Sequence, residues 1–325
     1  MGGITDIEGI TVGHVTDLKH GTGCTVVLCE DGGVCGADIR GGATGTFGAD
    51  TAGVLHLVPK THAIVLTGGS AFGLESVFGV MQWLEERNIG FDVGVTKVPI
   101  VSGSVVFDLR LGSETVRPTK QWGYRACDAA NSDTVDEGNT GAGTGATVGK
   151  LMGMETAMKG GLGSATVQLK NDILVGAIAI VNAAGDVWDW ESNHLIAGVR
   201  DPKTGKFSDT TKLMKEGVIR RNFKDAPTHN TTIGVVATNA KLEKWQATKV
   251  AQLAQNGIAW AVRPAHTMFD GDTIFAISTG DIEGDVNTLG LAAQEAMATA
   301  IRNAIFQAES LHGVPSAGEH HATHN

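Results

Sequence analysis

The strongest constraint on the fold of this chain is an alternation of glycine-rich turns with short runs of β-branched residues. Several runs are apolar at consecutive positions, so the sheet that they form has to be buried on both faces. The 45 glycines, about twice the number expected at this length, fit the many turns that such a sheet needs. The runs that predict strands are residues 24–28, 63–66, 164–169, 173–181, 231–238 and 274–279.

Helical periodicity supplies the layers that cover this sheet. It appears in residues 71–87, 242–256 and 287–311. Ser70 is placed to cap the first of these helices, and Gly257 to stop the second, in which Trp245 is counted among the inward positions. Strands and helices in this arrangement predict an α/β protein built in layers. Residues 313–325 predict a disordered tail, in which the histidines are solvated.

Composition and charge narrow the function classes. The sequence has no apolar run of roughly 18 residues and no signal-like N-terminus. Cys24, Cys29, Cys35 and Cys127 form no C-x-x-C pair, which indicates reduced packing residues. A formal net charge of -10 without any Lys/Arg run argues against nucleic acid or an anionic membrane as partner. We therefore expect a cytoplasmic protein that acts on a small neutral or cationic molecule.

The most informative junction lies where a polar connector, residues 191–229, runs into a strand that begins at Thr231. Asn230 and the two following threonines form a glycosylation sequon, which needs secretion. They also fit an ordinary turn before a strand. A third interpretation is self-cleavage between Asn230 and Thr231, which would leave Thr231 with a free amine. Because an α-amino group has a pKa of about 7.7–8.0, its neutral fraction can take the proton from the Thr hydroxyl.

Two carboxylates follow in the segment Asp270-Gly271-Asp272. An Asp-Gly pair between two apolar runs fits a hairpin turn. Alternatively, the two carboxylates could orient and balance an N-terminal ammonium. A metal site with His266 is the weaker interpretation, because the spacing matches no metal motif.

The glycine-rich stretch 141–150 fails as a phosphate-binding loop and as a dinucleotide fingerprint, because neither spacing is met. It fits either a tight crossover loop with a solvated lysine or a loop that brings Lys150 to a site. Residues 68–73 lack the second glycine of a nucleophile elbow. Asn182, at the end of a predicted strand, fits a turn or an amide that donates to an oxyanion.

Six blocks in order resemble one family, the DmpA-type self-cleaving aminopeptidases, which include β-peptidyl aminopeptidases and nylon-oligomer hydrolases. The likeness spans almost all of residues 4–311 and is more specific than any single motif. The blocks are residues 4–15, 40–43, 63–74, 141–150, 230–238 and 266–273.

This resemblance implies a four-layer α/β/β/α sandwich that is cut before Thr231. A large subunit, residues 1–230, and a small subunit, residues 231–325, would remain in one structural domain, and the cleaved heterodimers would assemble into homo-oligomers, often tetramers. No cofactor and no metal are implied. The implied site contains Thr231 as nucleophile, Asn182 as oxyanion donor, Lys150 as a positive partner, Asp270 and Asp272 as positioning groups, and Phe107 where some members have a tyrosine.

The predicted function is an N-terminal-threonine amidohydrolase or aminopeptidase that works through an acyl-enzyme. Its alternatives are a 6-aminohexanoate oligomer hydrolase of the same family, an acyltransferase of the ornithine acetyltransferase type, and an uncut binding or structural protein. The sequence leaves four substrate classes open: α-peptides, β-peptides, D-amino-acid amides and polyamide oligomers.

Overall fold

The computed structural model describes residues 2–218 and 230–324, with side chains to residue 320. The strands are β1 (Thr11–Asp17), β2 (Thr22–Ile39), β3 (Thr46–Phe47), β4 (Thr61–Thr67), β5 (Phe91–Asp92), β6 (Lys97–Val98), β7 (Val101–Val105), β8 (Thr147–Val148), β9 (Met158–Lys159), β10 (Gly161–Gln168), β11 (Leu174–Asn182), β12 (Asp186–Trp188), β13 (Leu195–Ala197), β14 (Thr231–Ala240), β15 (Val262–Arg263) and β16 (Thr273–Ile282). The helices are α1 (Glu75–Glu86), α2 (Lys120–Asp128), α3 (Thr210–Lys215), α4 (Lys244–Ala261), α5 (Val286–Phe306) and α6 (Ala317–His324). Within the described ranges, every helix is too short or too polar to cross a bilayer.

The long strand β2 belongs to two sheets. Its first half pairs with β1 and β4, and the sheet continues through β7 to β3. The pairing becomes irregular between Leu28 and Gly33, and the second half then pairs with β16. That second sheet continues through β14 and β11 to β10. Its β14 and β16 run parallel, whereas its other neighbours are antiparallel.

Three apolar layers separate four structural layers. Alternate residues of β4 point to opposite faces, so Ile64 and Leu66 join the core between the sheets, while Ala63 and Val65 face α1 and α2. On the second sheet, Ile233 and Val235 of β14 face the core between the sheets. A third core lies between this sheet and the alanine-rich α4 and α5. The predicted α/β/β/α sandwich is therefore confirmed.

Three local predictions about the helices are wrong. Ser70 does not cap α1, because it and Gly69 have left-handed backbone conformations, with φ of 55° and 76°, in a 3-10 turn before the helix. Trp245 is 53% exposed, and its indole N–H donates to Glu243. Gly257 does not end α4, which continues to Ala261; the absence of a Cβ there instead allows close contact with α5, since a Cβ would lie 2.3 Å from the carbonyl oxygen of Gln294.

The C-terminal segment also differs from the prediction. Instead of a disordered tail, the structure contains α6. Ala317 is fully buried in the core beneath α4 and α5, and the ring of His320 lies 4.6 Å from that of Phe207. These apolar contacts stabilise a segment whose sequence is short and polar.

The polar connector is anchored by a buried carboxylate. Asp186 in β12 is fully buried and accepts hydrogen bonds from the backbone N–H of Val199 at 2.9 Å and from the N–H and hydroxyl of Thr210 at 2.6 Å. These bonds fix the first turn of α3. Residues 191–218 thus contain a strand and a short helix, while the rest of the predicted connector, 219–229, lies outside the described residues.

The Asp186 carboxyl makes stability depend on pH. Burial raises its pKa from 3.8 to about 6, so the folded protein binds this proton more tightly than the unfolded chain does. Its contribution to stability is complete below pH 3.8 and is lost as the pH rises through 6. We expect Asp186→Asn to be less stable throughout, because one amide oxygen replaces two acceptors, but its thermal midpoint should fall less between pH 4 and 7. Parallel pH curves for the two proteins would contradict this.

Candidate active site

Thr231 begins β14, an internal strand of the second sheet, and its side chain is 5% exposed. Its hydroxyl donates a hydrogen bond to the carbonyl oxygen of Asn230. The N–H of Gly271 donates to the same oxygen at 2.9 Å, and the N–H of Asn230 donates to the carbonyl of Phe269 at 3.4 Å. The peptide bond before Thr231 is therefore fixed against residues 269–271, with a hydroxyl and an N–H at its carbonyl.

Asp272 fixes the backbone beside Thr231. One carboxylate oxygen accepts from the N–H of Thr232 at 2.7 Å. The other accepts from the N–H of His266 at 2.9 Å and lies 2.8 Å from its Nδ1. Both oxygens of this buried carboxylate are thus used to fix protein groups around the start of β14.

Asp270 is the second buried carboxylate at this junction. It accepts hydrogen bonds from the N–H and the hydroxyl of Thr267, at 2.8 and 2.5 Å. Burial, and then the nearby charge of Asp272, raise the pKa of Asp270 to about 6, while Lys150 acts in the opposite direction. The charge of this group therefore changes close to neutral pH.

The Asp-Gly pair forms no hairpin, because residues 258–261 end α4 and Asp270 forms a parallel bridge with Asn230. Gly271 has a role that the sequence analysis missed. A Cβ on it would lie 2.7 Å from the Thr231 hydroxyl oxygen and 3.0 Å from the carbonyl oxygen of Ala43. Only glycine leaves this space beside the hydroxyl open.

Lys150 and Asn182 lie on the other side of Thr231, since Asn182 is its register partner on β11. Lys150 is 1% exposed and donates to the Asn182 backbone carbonyl at 3.0 Å and to its side-chain oxygen at 2.6 Å. The Asn182 amide group donates to the carbonyl of Phe107 at 3.1 Å. This bond uses one of the two amide hydrogens, so the second can still serve an oxyanion.

Asp108 and Lys159 are buried polar groups that the sequence analysis missed. Asp108 accepts from the Thr22 hydroxyl and the Gly69 N–H, both at 2.7 Å, and burial raises its pKa to about 6. Lys159 donates to carbonyls of the glycine-rich loop, those of Thr144 at 2.9 Å and Ala146 at 2.7 Å. Burial lowers the pKa of Lys159 to about 7, against the opposing charge of Asp108.

Lys159 thus fixes the glycine-rich loop that leads to Lys150, and the two hydrogen bonds of Asp108 fix the position that directly follows Phe107. One signal for them was present in the sequence: Lys159 is a lone charge in the apolar, glycine-rich stretch 157–165. A lysine that is buried there requires fixed acceptors.

The structure brings together most of the residues that the sequence singled out: Thr231, Asn230, Asn182, Lys150, Asp270, Asp272, the backbone of Phe107 and His266. Ser70 and His320 belong to other parts of the fold. The N–H of Ser70 donates to the carbonyl of Val106 after β7, and His320 contacts Phe207. Both lie outside the group of contacts around Thr231.

The chain matches the family model described as peptidase family S58 over residues 2–317. A protein named uncharacterized aminopeptidase from Mycobacterium leprae is 38% identical, with 97% of this chain and 93% of the relative covered. The 6-aminohexanoate-oligomer endohydrolase of Kocuria sp. is 30% identical, with 86% and 75% covered.

Solved structures agree on the fold. The L-aminopeptidase D-Ala-esterase/amidase of Ochrobactrum anthropi, described as a variant of the Ntn-hydrolase fold, matches with a TM-score of 0.73 and 20% identity, covering 99% of this chain and 92% of its own. A β-aminopeptidase of Burkholderia sp. matches with a TM-score of 0.68 and 21% identity, covering 98% and 91%. The chain therefore belongs to peptidase family S58, the DmpA-type family that its sequence blocks resemble, and it is a hydrolase with the Ntn-hydrolase fold.

Proposed function

We propose that the chain cuts itself between Asn230 and Thr231 and then uses Thr231, at the new N-terminus, to hydrolyse amide bonds of small peptides or amino-acid amides. The observation that carries this proposal is the hydrogen bond from the Thr231 hydroxyl to the carbonyl of its own preceding peptide bond. This contact is made at the start of a rigid, buried strand, flanked by two carboxylates and a buried lysine.

In the first stage, the Thr231 hydroxyl oxygen adds to the Asn230 carbonyl carbon and the bond to the Thr231 nitrogen breaks. The hydroxyl proton passes to that nitrogen, which leaves an ester and a free amine. Water then hydrolyses the ester, giving a carboxylate at residue 230 and restoring the hydroxyl. The Gly271 N–H, 2.9 Å from the carbonyl oxygen, can stabilise the charge that develops there.

In the second stage, the free amine takes the proton from the Thr231 hydroxyl, which attacks the substrate carbonyl. The proton then passes to the leaving amine, and water hydrolyses the acyl-enzyme. Asp272, bound to the N–H of Thr232, lies one peptide unit from the new amine and can orient it. Asn182 would supply its second amide hydrogen to the substrate oxyanion, and Lys150 holds Asn182 in place.

The names of the relatives support amide hydrolysis and divide over the substrate. One is named an aminopeptidase and another a 6-aminohexanoate-oligomer endohydrolase. We keep nylon-type oligomers as the alternative substrate, because that second relative is 30% identical across most of this chain.

An assay with and without an amino-acid acceptor separates hydrolysis from acyl transfer.

We further propose a cytoplasmic enzyme that assembles as a tetramer of cleaved heterodimers. Exposed apolar side chains support subunit contacts: Leu55 and Leu57 follow a 3-10 turn, and Val95 lies at the tip of the β5–β6 hairpin. Four buried, unpaired cysteines fit a reducing compartment.

The test of the proposal is intact mass and denaturing gel analysis of active material. Self-cleavage predicts a fragment of about 10 kDa that begins at Thr231, split from the 33.7 kDa chain. N-terminal sequencing of that fragment should begin Thr-Thr-Ile. Active protein that contains only the full-length chain would overturn the proposal.

Gly271→Ala should block maturation. Its Cβ would stand 2.7 Å from the Thr231 hydroxyl oxygen, so the hydroxyl has to move away from the Asn230 carbonyl. We expect the cleavage rate to fall at least about 100-fold, the loss typical of disturbed catalytic geometry. The rate is followed on gels over time after synthesis. Gly318→Ala is the control, because its Cβ would meet only the Ser316 hydroxyl at 4.0 Å, and it should mature normally.

A further inference from the structure

An apolar cavity that is partly open to solvent lies beside the junction that the proposed reaction uses. Its volume is about 220 Å³. It is lined by side chains from four parts of the chain, of which Leu151, Ala184, Met214, Pro264, Met268 and Phe269 are apolar. We propose that this cavity is the subsite for the acyl part of the substrate and that it selects uncharged, apolar acyl residues. This inference rests on the proposed function.

The backbone around Asn230 shows where an acyl group has to lie. In self-cleavage, Asn230 is itself the acyl donor, and a substrate carbonyl has to take the same position relative to the Thr231 hydroxyl. That position is defined on both sides, by the Phe269 carbonyl, which accepts from the Asn230 N–H, and by the Gly271 N–H, which donates to the Asn230 carbonyl. A substrate residue bound there lies beside residues 269–271 as an added strand segment.

The cavity lies next to the residues that bind Asn230. Phe269, whose carbonyl binds Asn230, lines it. Leu151 directly follows Lys150, and the Ala184 carbonyl accepts from the Lys150 N–H at 3.1 Å. The cavity therefore lies between the loop of Lys150 and the loop of the two carboxylates, the two segments that enclose Thr231.

Six of the eight described lining residues are apolar. Among the described lining residues only Thr210 and Thr267 carry hydroxyls, and both hydroxyls already donate to buried carboxylates: that of Thr210 to Asp186 at 2.6 Å, and that of Thr267 to Asp270 at 2.5 Å. None of the described lining residues is charged. A charged side chain would lose part of its hydration there without gaining a charged partner among the described lining residues, whereas methylene groups would gain burial.

Size gives a further limit. A cavity of about 220 Å³ is smaller than the roughly 300–1,000 Å³ that whole drug-sized ligands occupy. It suits a single side chain or a short polymethylene segment, and not a whole oligomer. Leucyl, norleucyl and phenylalanyl groups are therefore the acyl groups that fit.

The test uses p-nitroanilides with alanyl, 2-aminobutyryl, norvalyl, norleucyl, lysyl and glutamyl acyl groups, measured on the cleaved protein. We expect kcat/KM to rise about fourfold for each added methylene from alanyl to norleucyl, and the lysyl and glutamyl compounds to be slower than norleucyl. Ala184→Leu, which fills the cavity, should reduce the norleucyl-to-alanyl ratio at least tenfold. Met214→Ala, which enlarges it, should move the optimum to a longer chain. The control Met152→Ala replaces an exposed methionine outside the cavity and should leave the ratio unchanged.

The outcomes separate this inference from the proposed function. If the chain is cut and hydrolyses the panel, but the ratio is flat or a charged acyl group is preferred, the apolar subsite is wrong and self-cleavage stands. If the chain stays whole, both proposals fail; if it is cut but hydrolyses none of the compounds, self-cleavage stands and the apolar subsite is wrong. Should Ala184→Leu fail to mature on gels, Met214→Ala carries the test, and an unshifted optimum in that variant would overturn the inference.

Discussion

Thr231→Ala should yield an intact chain with no hydrolytic activity. The substitution removes the only hydroxyl that is bonded to the Asn230 carbonyl in the described part of the chain, and with it the nucleophile of both proposed stages. Loss of a nucleophile typically lowers kcat by about 10⁴-fold or more. Intact mass and kcat/KM on an aminoacyl p-nitroanilide measure the two effects. A Thr231→Ala protein that is cut at this bond would refute the assignment.

The neighbouring residue provides a matched control. Thr232 is also buried, but its hydroxyl has no hydrogen-bond partner among the described residues. Thr232→Val keeps the shape and removes a hydroxyl that is buried at a cost, so cleavage and activity should persist and stability should not decrease. Thr231→Ser keeps the reacting group and should also be cut, which distinguishes loss of the hydroxyl from general damage to β14.

Lys150→Met should lower kcat/KM by roughly 10²–10³-fold, the effect of losing one oxyanion donor. The variant keeps the length of the side chain but removes the ammonium that bonds both oxygens of Asn182. It also removes the positive charge that lowers the pKa of Asp270. The acid limb of the pH–rate profile should therefore move to higher pH.

This pH shift distinguishes a role at the site from a merely structural one. Lys212→Met, at a lysine whose side chain is 73% exposed, is the control and should match the wild type in rate and profile. A Lys150→Met enzyme of normal rate, or one of reduced rate with an unmoved acid limb, would contradict the electrostatic coupling of Lys150 to Asp270.

The layers of the fold could be read from the sequence because each strand alternates between two different cores. Hydrophobic period and glycine spacing predicted the strands that form the centre of both sheets, and the helices α4 and α5 apart from their ends. The ends could not be predicted, because tertiary contacts decide them. Gly257 lies inside α4, where the absence of a Cβ lets α5 pack against its backbone, and Ala317 of α6 is buried in the core beneath α4 and α5.

The candidate site could likewise be predicted only in part from the sequence. Thr231, Lys150, Asn182 and the two carboxylates could be named, since each stands out by residue type in a matched block. The contributions of Gly271 and Lys159 depend on distances between segments that are far apart in sequence, which no local pattern contains. For Phe107, the contact with Asn182 uses the main-chain carbonyl, so a phenylalanine provides it as well as a tyrosine would.

The position of β14 and β16 in the sheet has a consequence for the cut protein. Both strands belong to the proposed small subunit, yet they lie between β11 and β2 of the large one. The second sheet is therefore complete only when both fragments contribute strands, so the two fragments stay associated while folded but would have to associate again after unfolding. Refolding would thus become bimolecular and concentration-dependent, and the lifetime of the mature enzyme would be set by its rate of unfolding.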